Sequence, residues 1–258
     1  MKKALFIHVP RTSGTSLALF LKERLAGFFV QANSADQLDP KDPLVGRVRD
    51  LADIRRVLGA HGGLALHVDS SFAAHRATTD FRSLAFHLFE PENFEYFRQH
   101  TIFTMLRHPF RSFLSSYAFV KHRKEEDPAF LPDLDLGGVD SYLEMVHENA
   151  ILHFLLEPQL ARRRSLGRDD LERVKARIAE YPIHVGIYER YAESIGYLSR
   201  VLGRPFEAED LPLLNVGGRQ TTHDPRLEVA FRDRNALDLE LYDFCRTLLD
   251  ERVRAVRR

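Results

Sequence analysis

Two short apolar runs, each ended by a polar turn and followed at once by an amphipathic segment, constrain the fold of this chain more than any other feature. The first is Ala4-Leu5-Phe6-Ile7, then His8-Val9-Pro10-Arg11-Thr12-Ser13-Gly14-Thr15-Ser16. After it, Leu17, Phe20, Leu21 and Leu25 fall at helical spacing, with Lys22, Glu23 and Arg24 on the solvated side. The second is Thr101-Ile102-Phe103-Thr104-Met105-Leu106, then Arg107-His108-Pro109, then Phe110, Phe113, Leu114 and Tyr117 on one helical face. Pro109 suits the first position of that helix, where its missing N–H would have no partner anyway. A third apolar strand, Ile183 to Tyr188, sits among helical patterns at about 141–156, 168–180, 191–202, 225–232 and 236–253. Strands alternating with helices predict an α/β fold, a parallel sheet with helices on both faces and ligands gathered at the carboxyl ends of the strands. Both polar turns lie at such ends.

The intervening chain is less regular. Residues 31–50 are polar, carry Pro40 and Pro43, and read as an exposed, mobile excursion; 51–58 reads as helix, Gly59 to Gly63 as a break and 64–68 as a strand. With 258 residues, 44% of them apolar, the chain can bury a substantial core, and one domain over 1–258 with a variable excursion at about 28–80 is expected. Lys plus Arg and Asp plus Glu balance at 37 each, so no global field draws the protein to nucleic acid or an anionic membrane. Anion binding must therefore be local. Cys245, the only cysteine, lies in an apolar helical pattern and reads as a buried, inert thiol. The run after Met1-Lys2-Lys3 is too short for a signal segment, and no stretch approaches the roughly 18 apolar residues of a membrane span. A soluble cytoplasmic protein, of open oligomeric state, is the expectation.

Chemistry concentrates in the two turns. The first offers a glycine, several hydroxyls and a cation where the exposed N–H groups of a helix start can face an anion. A plain helix cap made by Thr12, Ser13, Thr15 or Ser16 would look the same. A Walker A loop would not, because no glycine stands five residues before Gly14 and no lysine follows it. In the second turn Arg107 ends a strand, and Ser115, eight residues on, lies about two turns into the next helix. Together the turns offer two anion sites at neighbouring strand ends, the layout needed by a nucleotide with phosphate groups at both ends of its ribose.

At these residues the chain resembles the sulfotransferases that use 3′-phosphoadenosine 5′-phosphosulfate, the carbohydrate, heparan-sulfate and bacterial types. His8 to Ser16 is similar to their 5′-phosphosulfate loop and Leu106 to Tyr117 to their 3′-phosphate segment; Val185 to Arg190 and Leu214 to Arg219 extend the likeness, which is weak over 28–80 and 120–140. The resemblance implies a single P-loop-NTPase-like α/β domain, its central sheet mostly parallel and flanked by helices. It implies the sulfate donor named above, with adenosine 3′,5′-bisphosphate as product and no metal. Arg11 would touch the bridging and sulfonate oxygens; Thr12, Ser13, Gly14, Thr15 and Ser16 would cradle the 5′-phosphate; Arg107 and Ser115 would hold the 3′-phosphate; Gly218 and Arg219 would close over the nucleotide. Gly217 stands where related enzymes carry lysine. Arg11 also replaces the family's usual lysine, and a guanidinium can neutralise a leaving phosphate but does not readily give up a proton. His108 stands where the family tends to have Asp.

The acceptor proton needs a base. Enzymes of this resemblance often carry a histidine about twenty residues before the 3′-phosphate arginine, where His87 stands, and an imidazole is suited to the task near neutral pH. A hydrogen-bonded core histidine is the plainer reading of the same residue. His61, His67, Glu90 and Glu92 are rivals. None of the twelve histidines falls at structural-zinc spacing. Arg162-Arg163-Arg164 and the basic tail read as solvated faces. The acceptor, a small molecule or a carbohydrate, would be held by segments 31–80 and 120–140. A magnesium-dependent kinase on the same scaffold and a non-catalytic nucleotide-binding module are the competing readings.

Overall fold

The computed structural model describes residues 3–12, 14–31, 42–46, 48, 50–67, 90–127, 136–156, 165–181, 183–210 and 224–256. Six strands form one sheet: β1 (Ala4–His8), β2 (Phe28–Gln31), β3 (Val45–Gly46), β4 (Gly63–His67), β5 (Thr101–Leu106) and β6 (Ile183–Ile187). They lie in the order β3-β2-β4-β1-β5-β6, and every pairing is parallel. The expected α/β architecture with a parallel sheet is what the chain adopts. Ala4, Leu5, Phe6 and Ile7 pair with Gly63 to Leu66 on one side and with Thr101 to Thr104 on the other, so β1 is doubly buried and reads as a continuous apolar run.

Alternation along the strands divides the core in two. Ala4, Phe6, Phe103 and Met105 point to the face covered by α1 (Gly14–Arg24) and α8 (Tyr191–Leu202), where Leu17, Phe20, Leu21, Ile195 and Leu198 meet them. Leu5, Ile7, Ile102 and Leu106 point to the other face, under α2 (Leu51–Ala60), α3 (Pro91–Phe97), α6 (Ala150–Phe154), α7 (Arg168–Glu180) and α10 (Ala236–Val256). A satellite cluster lies beneath α4 (Pro109–Glu126), α5 (Val139–Met145) and α9 (Pro225–Arg234), built from Phe110, Phe113, Tyr142 and Phe231.

The outcome differs from expectation in three local respects. Phe28–Gln31 is a strand that four residues could not announce by periodicity; Gly27, at φ 70°, turns the chain into it after α1. Within 31–50, Val45–Gly46 pairs with β2 as an edge strand, while 32–41 lie outside the described residues. The helical stretch expected at 141–156 is two helices, parted at Asn149 in the left-handed region at φ 52°. Asn149 Oδ1 accepts the N–H groups of Leu237 and Asp238 at 3.1 Å each, and Asp238 returns both carboxylate oxygens to the N–H groups of Ile151 and Leu152 at 2.9 and 2.8 Å. Each helix start caps the other.

Topology then places a crevice. The chain leaves β1 through α1 toward β2 on one side of the sheet, and leaves neighbouring β5 through α4 toward β6 on the other side. Outgoing connections that diverge from adjacent strands open a gap between their carboxyl ends, the standard ligand position in such sheets. Arg11 and Arg107 stand on its two lips.

Candidate functional site

The β1 turn is held by its own backbone. Thr12, almost wholly buried, donates its hydroxyl to the Val9 carbonyl at 2.7 Å, which bends the chain out of the strand. Arg11 adopts φ 64°, a conformation that costs a non-glycine residue about 1–3 kcal/mol and that tends to be kept where function requires it. Across the crevice, Arg107 Nη1 donates to the Arg11 carbonyl at 3.4 Å. Helix α1 begins at Gly14, so the N–H groups of its first turn have no partner within the helix and face the crevice end of β1.

Gly14 has a different cause from the one its place in the turn suggests. A Cβ at residue 14 would overlap the imidazole of His8, which is buried and stacked on Phe6 with ring centroids 5.8 Å apart. The missing side chain makes room for His8 at the floor of the site.

The two arginines converge. Arg11 Nε donates to Ser115 Oγ at 3.1 Å, and its guanidinium lies over the Phe119 ring, 4.7 Å from the centroid. Ser115 and Phe119 are one turn apart on α4 and therefore share a face. Arg107 lies over the Tyr188 ring at 4.8 Å, at the carboxyl end of β6. Burial, and next the charge of Arg107, hold Arg11 below the ordinary arginine range, with Tyr142 pulling the other way. Among the described residues neither guanidinium is paired with a carboxylate, and Arg107 Nε is buried with no hydrogen-bond partner at all. An uncompensated buried donor beside a second cation fits an anion: the residues present suit a phosphate or sulfonate group.

The Arg107 turn is braced from the same side. Glu189 Oε1 accepts the His108 N–H at 3.0 Å and Glu189 Oε2 accepts the Tyr242 hydroxyl at 2.9 Å. His108 packs edge-on against Tyr242, and burial lowers its pKa. The carboxylate that binds the turn thus comes from the end of β6, not from the residue after Arg107.

Of the residues expected here, the structure brings Arg11, Thr12, Gly14, Thr15, Ser16, Arg107 and Ser115 to the two turns and to α1 and α4 beside them. Ser13, His87, Gly218 and Arg219 lie outside the described residues, as do Gly217 and Arg162 to Arg164. One rival base, His61, is placed away from the crevice. His61 ends α2 just before β4, whose first residue pairs with Ala4 and Phe28, so it sits at the amino ends of the strands, the wrong edge of the sheet. Glu90 accepts the side-chain amide of Asn93, which itself accepts from Arg55 on α2, and Glu92 is exposed in the first turn of α3. His67 is the backbone partner of His8 at the crevice end. Phe119, Tyr188 and Glu189 carry no role in the sequence reading; Phe119 follows Ser115 by one helical turn, Tyr188 ends the third apolar run and Glu189 comes directly after it, which is the signal that each offers.

Among the described residues no helix is long and apolar enough to cross a membrane, and no group of three or more His, Cys, Asp or Glu is placed to hold a metal ion. No family model matches the chain, and no curated protein matches it. A comparison with solved structures matches a sulfotransferase from Alicyclobacillus acidocaldarius over 100% of this chain and 99% of that one, at 16% sequence identity and a TM-score of 0.48.

Proposed function

We propose that this protein is a single-domain sulfotransferase that moves a sulfuryl group from 3′-phosphoadenosine 5′-phosphosulfate to a hydroxyl acceptor. The observation that carries the reading is the pair Arg11 and Arg107 on adjacent strand ends, without a carboxylate partner among the described residues, one of them with a buried donor unmet. Two neighbouring cations repel unless an anion lies between or beside them, and a nucleotide bearing anionic groups at both 3′ and 5′ positions answers both. The donor supplies the sulfuryl group, whose sulfur gains a bond to the acceptor oxygen as its bond to the 5′-phosphate oxygen breaks.

The chain's own residues divide the work. The N–H groups that open α1, with Thr15 and Ser16, hold the 5′-phosphate. Arg107, stiffened by Tyr188 and by the Glu189 brace, and Ser115 hold the 3′-phosphate. Arg11 stabilises the charge that builds on the leaving oxygen and, as a guanidinium, donates hydrogen bonds without giving up its proton. His87 takes the acceptor's proton, and Gly218 and Arg219 close over the nucleotide.

Titration calorimetry tests the donor site. Adenosine 3′,5′-bisphosphate binds and AMP binds more weakly; Arg107→Ala weakens the bisphosphate by about tenfold to a hundredfold, the worth of a charged hydrogen bond, and leaves AMP nearly unchanged. No detectable binding, or equal affinity for the two nucleotides, sinks the proposal. For the base, His87→Gln lowers transfer of labelled sulfate by about a hundredfold or more while bisphosphate affinity holds. Undiminished transfer removes His87 from the mechanism.

A further inference from the structure

Arg11 is held at three places, and among the described residues none of them is a carboxylate. Its backbone is fixed at φ 64°, with the carbonyl accepting from Arg107 Nη1. One edge of its guanidinium is fixed, because Nε donates to Ser115 Oγ at 3.1 Å. Its face is fixed too, lying over the Phe119 ring at 4.7 Å from the centroid. Ser115 and Phe119 stand one turn apart on α4, so a single helix face supplies both contacts. A guanidinium is planar, and once a face and an edge are set the direction of its remaining donors is set as well. Those donors are the two terminal nitrogens, which have no hydrogen-bond partner among the described residues.

An aromatic face does what an anion site needs from the group that holds its cation. The face carries the negative side of the ring quadrupole, so it attracts a guanidinium, and more strongly where water is excluded. It has no net charge, and so leaves the guanidinium's own charge to an incoming anion. A carboxylate in the same place would hold Arg11 as firmly, but would cancel that charge and repel a phosphate. The ring also offsets part of the repulsion from Arg107, which after burial is the second cause that disfavours the charged form of Arg11. Arg107 is seated in the same manner, over the Tyr188 ring at 4.8 Å. A long side chain that is already ordered loses little freedom when the anion arrives, and the difference appears as affinity.

Resting on the sulfuryl-transfer reading, we propose that Phe119 is a positioning residue: its ring seats the Arg11 guanidinium so that the two terminal nitrogens meet the oxygen that bridges sulfur and the 5′-phosphate. That oxygen stays on the 5′-phosphate once the sulfuryl group has left, so the product nucleotide reports how well Arg11 holds it. Phe119 acts through Arg11 and not by touching the nucleotide.

The test uses the full chain and calorimetric titration with adenosine 3′,5′-bisphosphate and with adenosine 3′-monophosphate, which lacks the phosphate that Arg11 meets. Phe119→Leu keeps the apolar bulk and removes the aromatic face. It weakens the bisphosphate by about threefold to tenfold, as expected of a partly desolvated cation–π contact, and changes the 3′-monophosphate by less than about twofold. Phe119→Tyr keeps the face and holds the parent's affinity for both nucleotides. In an Arg11→Ala background, Phe119→Leu has no further effect on the bisphosphate. Equal weakening of both nucleotides, a Phe119→Tyr variant no better than Phe119→Leu, or an undiminished effect in the absence of Arg11 overturns the proposal. If Phe119→Leu or Arg11→Ala fails to fold, Phe119→Met or Arg11→Gln takes its place in the same comparison. Failure of the parent to bind the bisphosphate at all sinks the donor reading instead. Urea unfolding of the same four proteins without nucleotide then decides whether the seat exists: Phe119→Leu lowers the midpoint of the parent more than that of the Arg11 variant, and equal lowering in both counts against it.

Discussion

At the scale of single residues, two positions show how far a side chain's meaning depends on its neighbours. Gly14 reads in sequence as close backbone approach to an anion; in the fold, the group that comes close is the His8 ring. His8 cannot swing away cheaply, because it is buried against Phe6. Gly14→Ala therefore costs about 1–3 kcal/mol in urea unfolding, the usual penalty of overpacking. In a His8→Ala background the same change becomes neutral or favourable, since alanine is the better helix former. Equal cost in both backgrounds would remove His8 as the reason. Arg11 is the second case: its charge is evident from the sequence, but its left-handed backbone and its bond to Ser115 are not, and the bond depends on a helix about a hundred residues away.

At the scale of elements, the reciprocal capping of α6 and α10 decides how the satellite cluster meets the sandwich. Asp238 is fully buried, and burial pushes its carboxyl up to about 7 even though the Ile151 and Leu152 N–H groups pull the other way. The native state then holds a proton that the unfolded chain releases near 3.8. Its stabilising contribution is complete below about pH 4 and is lost as pH rises through about 7. Asp238→Asn removes that titration and sets an amide N–H against a backbone N–H. The variant is less stable than the parent at pH 5, by about 1–3 kcal/mol, and loses less on going to pH 8. Urea midpoints at the two pH values measure both effects; an unchanged pH slope would show that Asp238 does not titrate in this window.

Across the whole molecule, one sheet serves both core clusters, since alternate residues of the same strands feed each face. Val9, Ile151 and Phe154 of one core meet Phe113, Val146 and Phe231 of the satellite around a common cavity. Neither half has a sheet of its own. Circular dichroism of the backbone and tyrosine fluorescence should therefore report a single, coincident denaturant transition, as expected of one domain. Separated midpoints would mean that the α4, α5 and α9 region unfolds as a unit by itself.

The order of strands and helices was legible in the chain because it rests on local periodicity. Three strands within a residue or so, and helices such as 168–180 and 191–202, follow from which side of the backbone each apolar residue faces. The strand-end positions of Arg11 and Arg107 follow from the same patterns, and with them the expectation of an anion site. Where an element owes its state to its partner, the pattern is silent: Phe28–Gln31 is a strand because β4 lies beside it, and Asn149 breaks a helix because Asn235 and Asp238 receive it. Tertiary structure alone decided that Arg11 meets Ser115 over Phe119, that Arg107 Nε is buried unmet, that His61 lies at the far edge of the sheet, and that a cavity opens beside the guanidinium. Each of these is a contact between segments tens of residues apart, fixed by sheet order and helix packing, and no window of neighbouring residues contains it.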